Sequence, residues 1–304
     1  MKRVLMKDIA TKANVSLATV SYILNNVSNQ SISPETRELV LKIAKELEYR
    51  PNLNARSLAS KKSGLIGFFT VYDKTRDSPW KDFLYFKLMT KLEASLKKQG
   101  FHILYFSVDA KNPELDVIQQ RELDGVIIVD VNKDIFYHIS YHFNTPIVLV
   151  DSYLEDDLFI KVLPDYPSAI KKANALLEEK SSFLIADKAN NEEVLRKIAG
   201  CSGLKKQDIL FAENQKEVLY FLNRFQNKKG IIINEYLAML AQPYVVPSDI
   251  AIICTCDCSE LVAPAFHQVK FVQSRADAAS GILVSLIEKK GTDKRESYHY
   301  ISVM

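Results

Sequence analysis

Apolar positions along the chain change their period near residue 64. Between Met6 and Ala13 they recur three and four residues apart (Met6, Ile9, Ala10, Ala13), the spacing of one helical face. Asn14 and Val15 break the pattern, and Asn is the non-glycine residue best suited to a left-handed turn position. Ser16 is placed to cap a second helix from 17 to about 25, with Val20, Ile23 and Leu24 on its inner side. Two short helices joined by a tight turn make a helix-turn-helix unit. A polar stretch rich in Asn and Ser covers 25–31. Ser33 and Pro34 then open a third helix with a capping hydroxyl and a proline at its first position. Leu39, Val40, Ile43, Ala44 and Leu47 form the stripe that closes this small core, and Tyr49-Arg50-Pro51 ends it.

From Gly64 onward short apolar runs alternate with amphipathic helices, the signature of parallel sheet covered by helices. Strands are predicted over 65–71, 102–108, 125–130, 146–150, 182–186, 230–234 and 250–254. Helices are predicted over 83–99, 168–180, 192–199, 216–227 and 276–289. The fold class is therefore α/β, an all-α head followed by a parallel-sheet core. The expected domains are a helix-turn-helix DNA-binding domain at 1–50, a linker at 51–63 and a large unit at 64–304.

Composition sharpens the division. The 304 residues, 47% hydrophobic, suffice to bury a core in each of two or three units. The net charge is only +3, but residues 1–62 carry eleven basic against five acidic side chains, a net +6 that leaves −3 for the rest. A basic head on a mildly acidic body suits a head that meets phosphates. There is no apolar leader and no window of about 18 apolar residues, so a cytoplasmic, nucleoid-associated protein is expected, with no membrane partner. Cys201, Cys254, Cys256 and Cys258 make no disulfide framework. The five histidines are dispersed, and no glycine loop cradles a phosphate; neither cofactor nor metal is expected, and no catalytic constellation is visible.

The stretch MKDIATKANVSLATVSYILN at 6–25 resembles the LacI/GalR family of bacterial repressors. SPETR at 33–37, YRPN at 49–52, ARSLA at 55–59 and IG at 66–67 continue the likeness in order. LDGVII at 123–128, PIVLVD at 146–151 and VPSDI at 246–250 resemble landmarks of the family's core. The resemblance implies that the second helix enters the major groove, with Leu17, Ala18 and Tyr22 reading bases and Ser16, Thr19, Ser21 and Asn25 holding phosphates. The family commonly carries Arg where Tyr22 stands, and Tyr cannot make the paired hydrogen bonds of a guanidinium to guanine. Residues 52–59, which include Asn52, resemble the family's hinge helix. Leu58 matches the side chain wedged into the minor groove, with Ala55 and Arg56 beside it; an ordinary linker helix is the plain alternative. The resemblance further implies a homodimer on a near-palindromic stretch of double-stranded DNA.

It also implies a two-lobed core like that of periplasmic sugar-binding proteins, with lobe 1 at about 64–162 and 273–293 and lobe 2 at about 163–272. A small-molecule sugar effector would lie between the lobes near strand ends. Candidate contacts are Trp80, Asp82, Tyr85, Asp151, Arg196, Asn234, Glu235 and Asp257. Trp80 is equally placed to be a packing residue. Several features depart from the family's pattern: Glu235 follows Asn234 where Asp is usual, Cys256 and Cys258 flank Asp257, and Glu235 to Pro247 is shorter by roughly two helical turns. Cys254, Cys256 and Cys258 alternate and would share one face of a strand, as three buried small side chains or as a soft-metal or redox site. The expected function is a sequence-specific repressor of a carbohydrate-utilisation operon. The competing readings are a regulator that has lost its small-molecule response, acting constitutively or through a protein partner, and an enzyme or transport-binding protein on the same core.

Overall fold

The structure, a computed structural model, describes residues 4–24, 31–47, 49, 62–73, 78–111, 113, 122–288 and 296–304. The chain divides into two compact units, Met1–Lys61 and Lys62–Met304.

Among the described residues of the first unit, three helices form: α1 (Met6–Ala13), α2 (Leu17–Leu24) and α3 (Pro34–Glu46). Asn14 ends α1 in the left-handed conformation at φ 52°, and its N–H returns to the last carbonyls of the helix. Ser33 caps α3 by accepting from the Thr36 N–H at 3.2 Å, with Pro34 at the first helical position. Ile9, Ala10, Ala13, Val20, Ile23, Val40, Ile43 and Ala44 form the shared core. Leu39, expected in that stripe, is instead 46% exposed, because Val40, Ile43 and Ala44 already fill the α3 face that meets the other helices.

The second unit holds two parallel sheets. The lobe 1 sheet contains β1 (Leu65–Tyr72), β2 (His102–Asp109), β3 (Gly125–Val129), β4 (Ile147–Val150), β5 (Ile160–Pro164) and β11 (Tyr298–Ile301), in the order β11-β5-β4-β3-β1-β2. The lobe 2 sheet contains β6 (Phe183–Asp187), β7 (Ile209–Ala212), β8 (Gly230–Ile233), β9 (Ile250–Ile253) and β10 (His267–Val269), ordered β10-β9-β8-β6-β7. Helices α4 (Pro79–Lys97) and α10 (Arg275–Ile287) pack on one face of the first sheet, where Leu88, Leu92, Leu96, Ala279 and Leu283 join Ile66, Phe68 and Ile127. Helix α5 (Lys133–Ser140) covers the other face through Ile135, Phe136 and Ile139. The lobe 2 sheet is flanked by α6 (Tyr166–Leu176), α7 (Glu192–Ser202), α8 (Gln215–Asn223) and α9 (Glu235–Ala241). Gly230 is required there by close approach, since a Cβ would lie 2.2 Å from the Phe183 ring.

All seven predicted strands and all five predicted core helices are present, with ends shifted by up to four residues. Among the described residues, four further strands and two further core helices stand where the sequence pattern predicts none. β5 and β11 escape because Lys161 and the Tyr-His-Tyr run of β11 dilute their apolar character. Lys161 is nonetheless fully buried, its Nζ donating to the Asp156 carbonyl at 2.5 Å and lying 4.6 Å from the centre of the Tyr298 ring. Expected to alternate on a strand, Cys254, Cys256 and Cys258 lie beyond β9, which stops at Ile253; all three are buried thiols in the following turn. Among the described residues no helix is long and apolar enough to cross a membrane, and no group of three or more His, Cys, Asp or Glu is arranged to hold a metal ion.

Candidate nucleic-acid interface and inter-lobe cleft

In the head, Ser16 accepts from the Thr19 N–H at 3.0 Å and its hydroxyl lies 2.9 Å from that of Thr19. This cap sets the phase of α2. Val20 and Ile23 turn inward, while Leu17 is 52% exposed, Tyr22 37% exposed, and Ala18 faces solvent with them. Exposing a leucine and a tyrosine on an eight-residue helix buries nothing within the head, so this face is available to a partner. Thr19 and Ser21 are half-buried at its edges. Asn25, Asn52, Ala55, Arg56 and Leu58 lie outside the described residues.

In the core, the C-terminal ends of β3, β4, β6, β8 and β9 converge on the cleft between the lobes. Three apolar strands run into an aspartate there: Asp130, Asp151 and Asp187. Asp130 receives four donors, two from its own lobe (Lys81 Nζ at 2.9 Å, Tyr85 Oη at 3.0 Å) and two from the other (the N–H groups of Asn190 at 2.7 Å and Asn191 at 3.2 Å). Lys81 also lies 3.7 Å from Asp187. Asp187 accepts from Trp80 Nε1, and burial holds its carboxyl up at about 6 against the opposing pull of Lys81 and Trp80. Asn191 caps α7 and donates across the cleft to the carbonyls of Val131 at 2.7 Å and Tyr153 at 3.0 Å. Arg275, at the start of α10, pairs with Asp151 and donates to the Thr255 carbonyl at 2.6 Å. What remains open between these groups is a cavity of about 60 Å³. Ligand sites commonly enclose roughly 300–1,000 Å³.

Residues 5–52 match the model of the bacterial regulatory proteins of the lacI family. Catabolite control protein A of Staphylococcus xylosus is 30% identical over 246 residues, spanning 76% of this chain and 69% of that protein. The chain belongs to the LacI family. The sucrose operon repressor of Klebsiella pneumoniae is 32% identical over 170 residues, which cover 54% of this chain and only 48% of that protein. Among solved structures, the lac repressor dimer bound to operator and an anti-inducer superposes with a TM-score of 0.69 at 18% identity, covering all of this chain and 98% of that one. The fold is that of the LacI family throughout, with the head followed by a two-lobed core like those of periplasmic binding proteins.

Within this LacI-family core the eight predicted effector contacts do not form one constellation. Tyr85, Asp151 and Asn234 line the cleft cavity. Trp80, carried on the first helix of lobe 1, is 2% exposed and packs into the lobe 2 core with Phe183 and Ile185, so it is a packing residue that bridges the lobes. Asp82 is exposed, one step further round α4 than Lys81, where its charge suits the positive end of the helix. Arg196 pairs with Glu193 at 2.9 Å, its side chain 73% exposed on α7. It borders an outer groove of about 800 Å³, whose walls come from both lobes and include Tyr153, Asn190 and Asn191 of the cleft contacts. Glu235 is wholly buried and accepts from the backbone N–H groups of Cys256 (2.9 Å) and Cys258 (3.1 Å), so it shapes a turn instead of meeting a ligand. Asp257 pairs with Lys91 at 3.3 Å. Asn234 spends its carbonyl oxygen capping α9, accepting from Leu237 N–H at 2.8 Å.

Lys81, Asp130, Asp187, Asn191 and Arg275 were not singled out in the sequence. A usable signal was present: the runs GVIIVD, IVLVD and FLIAD each end a strand on aspartate, and Asp130 and Asp151 both take positive φ, near 50°, at the strand exit.

Proposed function

We propose that the chain is a sequence-specific DNA-binding repressor of a carbohydrate-utilisation operon. The observation that carries this reading is the outward face of α2, where Leu17, Ala18 and Tyr22 stand exposed above a core that has no use for them. In this reading α2 lies in the major groove, with Ser16, Thr19, Ser21 and Asn25 against phosphates and Asn52, Ala55, Arg56 and Leu58 at the minor groove. Two copies read the two halves of a near-palindromic operator. Phe83 and Phe86 on α4, 57% and 62% exposed, with Tyr105 on β2, supply apolar area for that pairing. The carbohydrate assignment follows relatives named for sugar operons, and a sugar or sugar phosphate is the effector expected to act on the inter-lobe cleft.

Selection of binding sites from a random duplex library tests the reading. A palindromic consensus bound by a dimer is expected; recovery of no consensus, or of an asymmetric one bound by a monomer, overturns it. The small cavity and its ion pairs favour the second reading, regulation without a small-molecule effector. Calorimetric titration with sugars and sugar phosphates separates the two, since submillimolar binding of any of them rejects the second.

A further inference from the structure

The contacts that close the cleft come from the chain itself. Ser78 donates from lobe 1 to the Glu213 carbonyl of lobe 2 at 2.6 Å, Asn190 donates from lobe 2 to the Val71 carbonyl of lobe 1 at 2.8 Å, and Asp130 and Asn191 span the gap as described. At the centre sits Arg275, only 7% exposed, whose guanidinium is divided between Asp151 of lobe 1 and the Thr255 carbonyl of lobe 2. A planar fork of N–H donors met by a carboxylate on one side and a carbonyl on the other is how a protein recognises a guanidinium. The second oxygen of Asp151 is buried with no hydrogen-bond partner among the described residues, so the carboxylate has acceptor capacity left for that cation.

We propose that the inter-lobe cleft is a guanidinium-binding site whose resident ligand is the chain's own Arg275, and that this tethered side chain holds the two lobes together. The inference deepens the reading of the cleft as the regulatory site. A buried guanidinium released from its carboxylate leaves Asp151 uncompensated in a small enclosed space, and truncating one partner of such a pair is strongly disruptive. An effector that parts the lobes at this point must displace Arg275 and offer partners of its own to Asp151 and to the guanidinium; a sugar phosphate, with an anion for Arg275, does so more strongly than the hydroxyls of a neutral sugar. Lys could not replace Arg here: a single ammonium on a flexible stem presents no fork and reaches one acceptor at a time.

The test is chemical rescue, read as lobe closure so that it stands apart from DNA binding. In full-length R275A, amide hydrogen exchange at Asn190, Asn191 and Thr255 is expected to rise at least about tenfold over the wild type, a change of about 1.4 kcal/mol. Ethylguanidinium at millimolar concentration should restore protection, whereas ethylammonium at equal ionic strength should not. Wild-type protection in R275A, or equal effects of the two cations, overturns the proposal. Should R275A fail to fold, R275K serves: exchange at the same amides between two- and tenfold faster is expected, and exchange equal to the wild type overturns the proposal. Failure here with an intact palindromic consensus would leave the DNA-binding reading standing, and the converse outcome would leave this one.

Discussion

The indole N–H of Trp80, on the first helix of lobe 1, donates to the carboxylate of Asp187, at the end of the first strand of lobe 2. One side chain thus belongs to two lobes, by its helix to one and by its packing with Phe183 and Ile185 to the other. Trp80→Phe keeps an aromatic side chain but removes the N–H donor and part of the buried ring, leaving the Asp187 carboxylate short of a partner. We expect a loss of about 1–3 kcal/mol in urea unfolding. Trp80 is the only tryptophan, so its emission also reports lobe opening: a red shift should accompany any ligand or variant that parts the lobes.

Asp187 makes a pH prediction whose sign follows from its raised pKa of about 6, caused by burial in the cleft wall. A carboxyl that holds its proton more tightly in the folded than in the unfolded chain contributes stability below its unfolded pKa, near 4, and loses it as pH rises through about 6. Asp187→Asn removes this dependence. The melting temperature of the wild type minus that of D187N should therefore fall between pH 4 and pH 6; a constant difference would refute the assignment.

Glu235 predicts a structural loss where an effector contact would predict a binding loss. Glu235→Ala strands the buried N–H groups of Cys256 and Cys258 without their acceptor. A destabilisation of about 2–4 kcal/mol is expected in denaturant titrations. Faster modification of the buried thiols by a disulfide reagent should accompany it, because the turn that hides Cys256 and Cys258 loses its anchor.

Tyr22 predicts a change of operator. Tyr22→Arg places a guanidinium on the exposed face of α2, and a bidentate contact to guanine is worth about 1–3 kcal/mol of discrimination. Site selection with the variant should enrich guanine at one position in each half-site. An unchanged consensus would mean that Tyr22 does not meet base edges.

The head was legible from residue order because its information is local. Helical spacing of Ile9, Ala10, Ala13, Val20 and Ile23, an Asn at the left-handed turn and capping hydroxyls at Ser16 and Ser33 are properties of neighbours within a few positions. The core strands with unbroken apolar runs were legible for the same reason, since burial on both faces of a parallel sheet demands such runs. The cleft was not. Its ion and hydroxyl pairs join distant positions, Tyr85 with Asp130 45 residues on and Asp151 with Arg275 124 residues on, and no local pattern marks which aspartate meets which cation. Helix phase decided that Lys81 faces the cleft and Asp82 does not, and the return of the chain into α10 carried Arg275 to Asp151. By itself the sequence determined a family, a head and the frame of a two-lobed core. Only the tertiary structure decided that the centre of the cleft, around Asp130, Asp151 and Arg275, is filled by the protein's own charges, because filling is a property of distance and not of order along the chain.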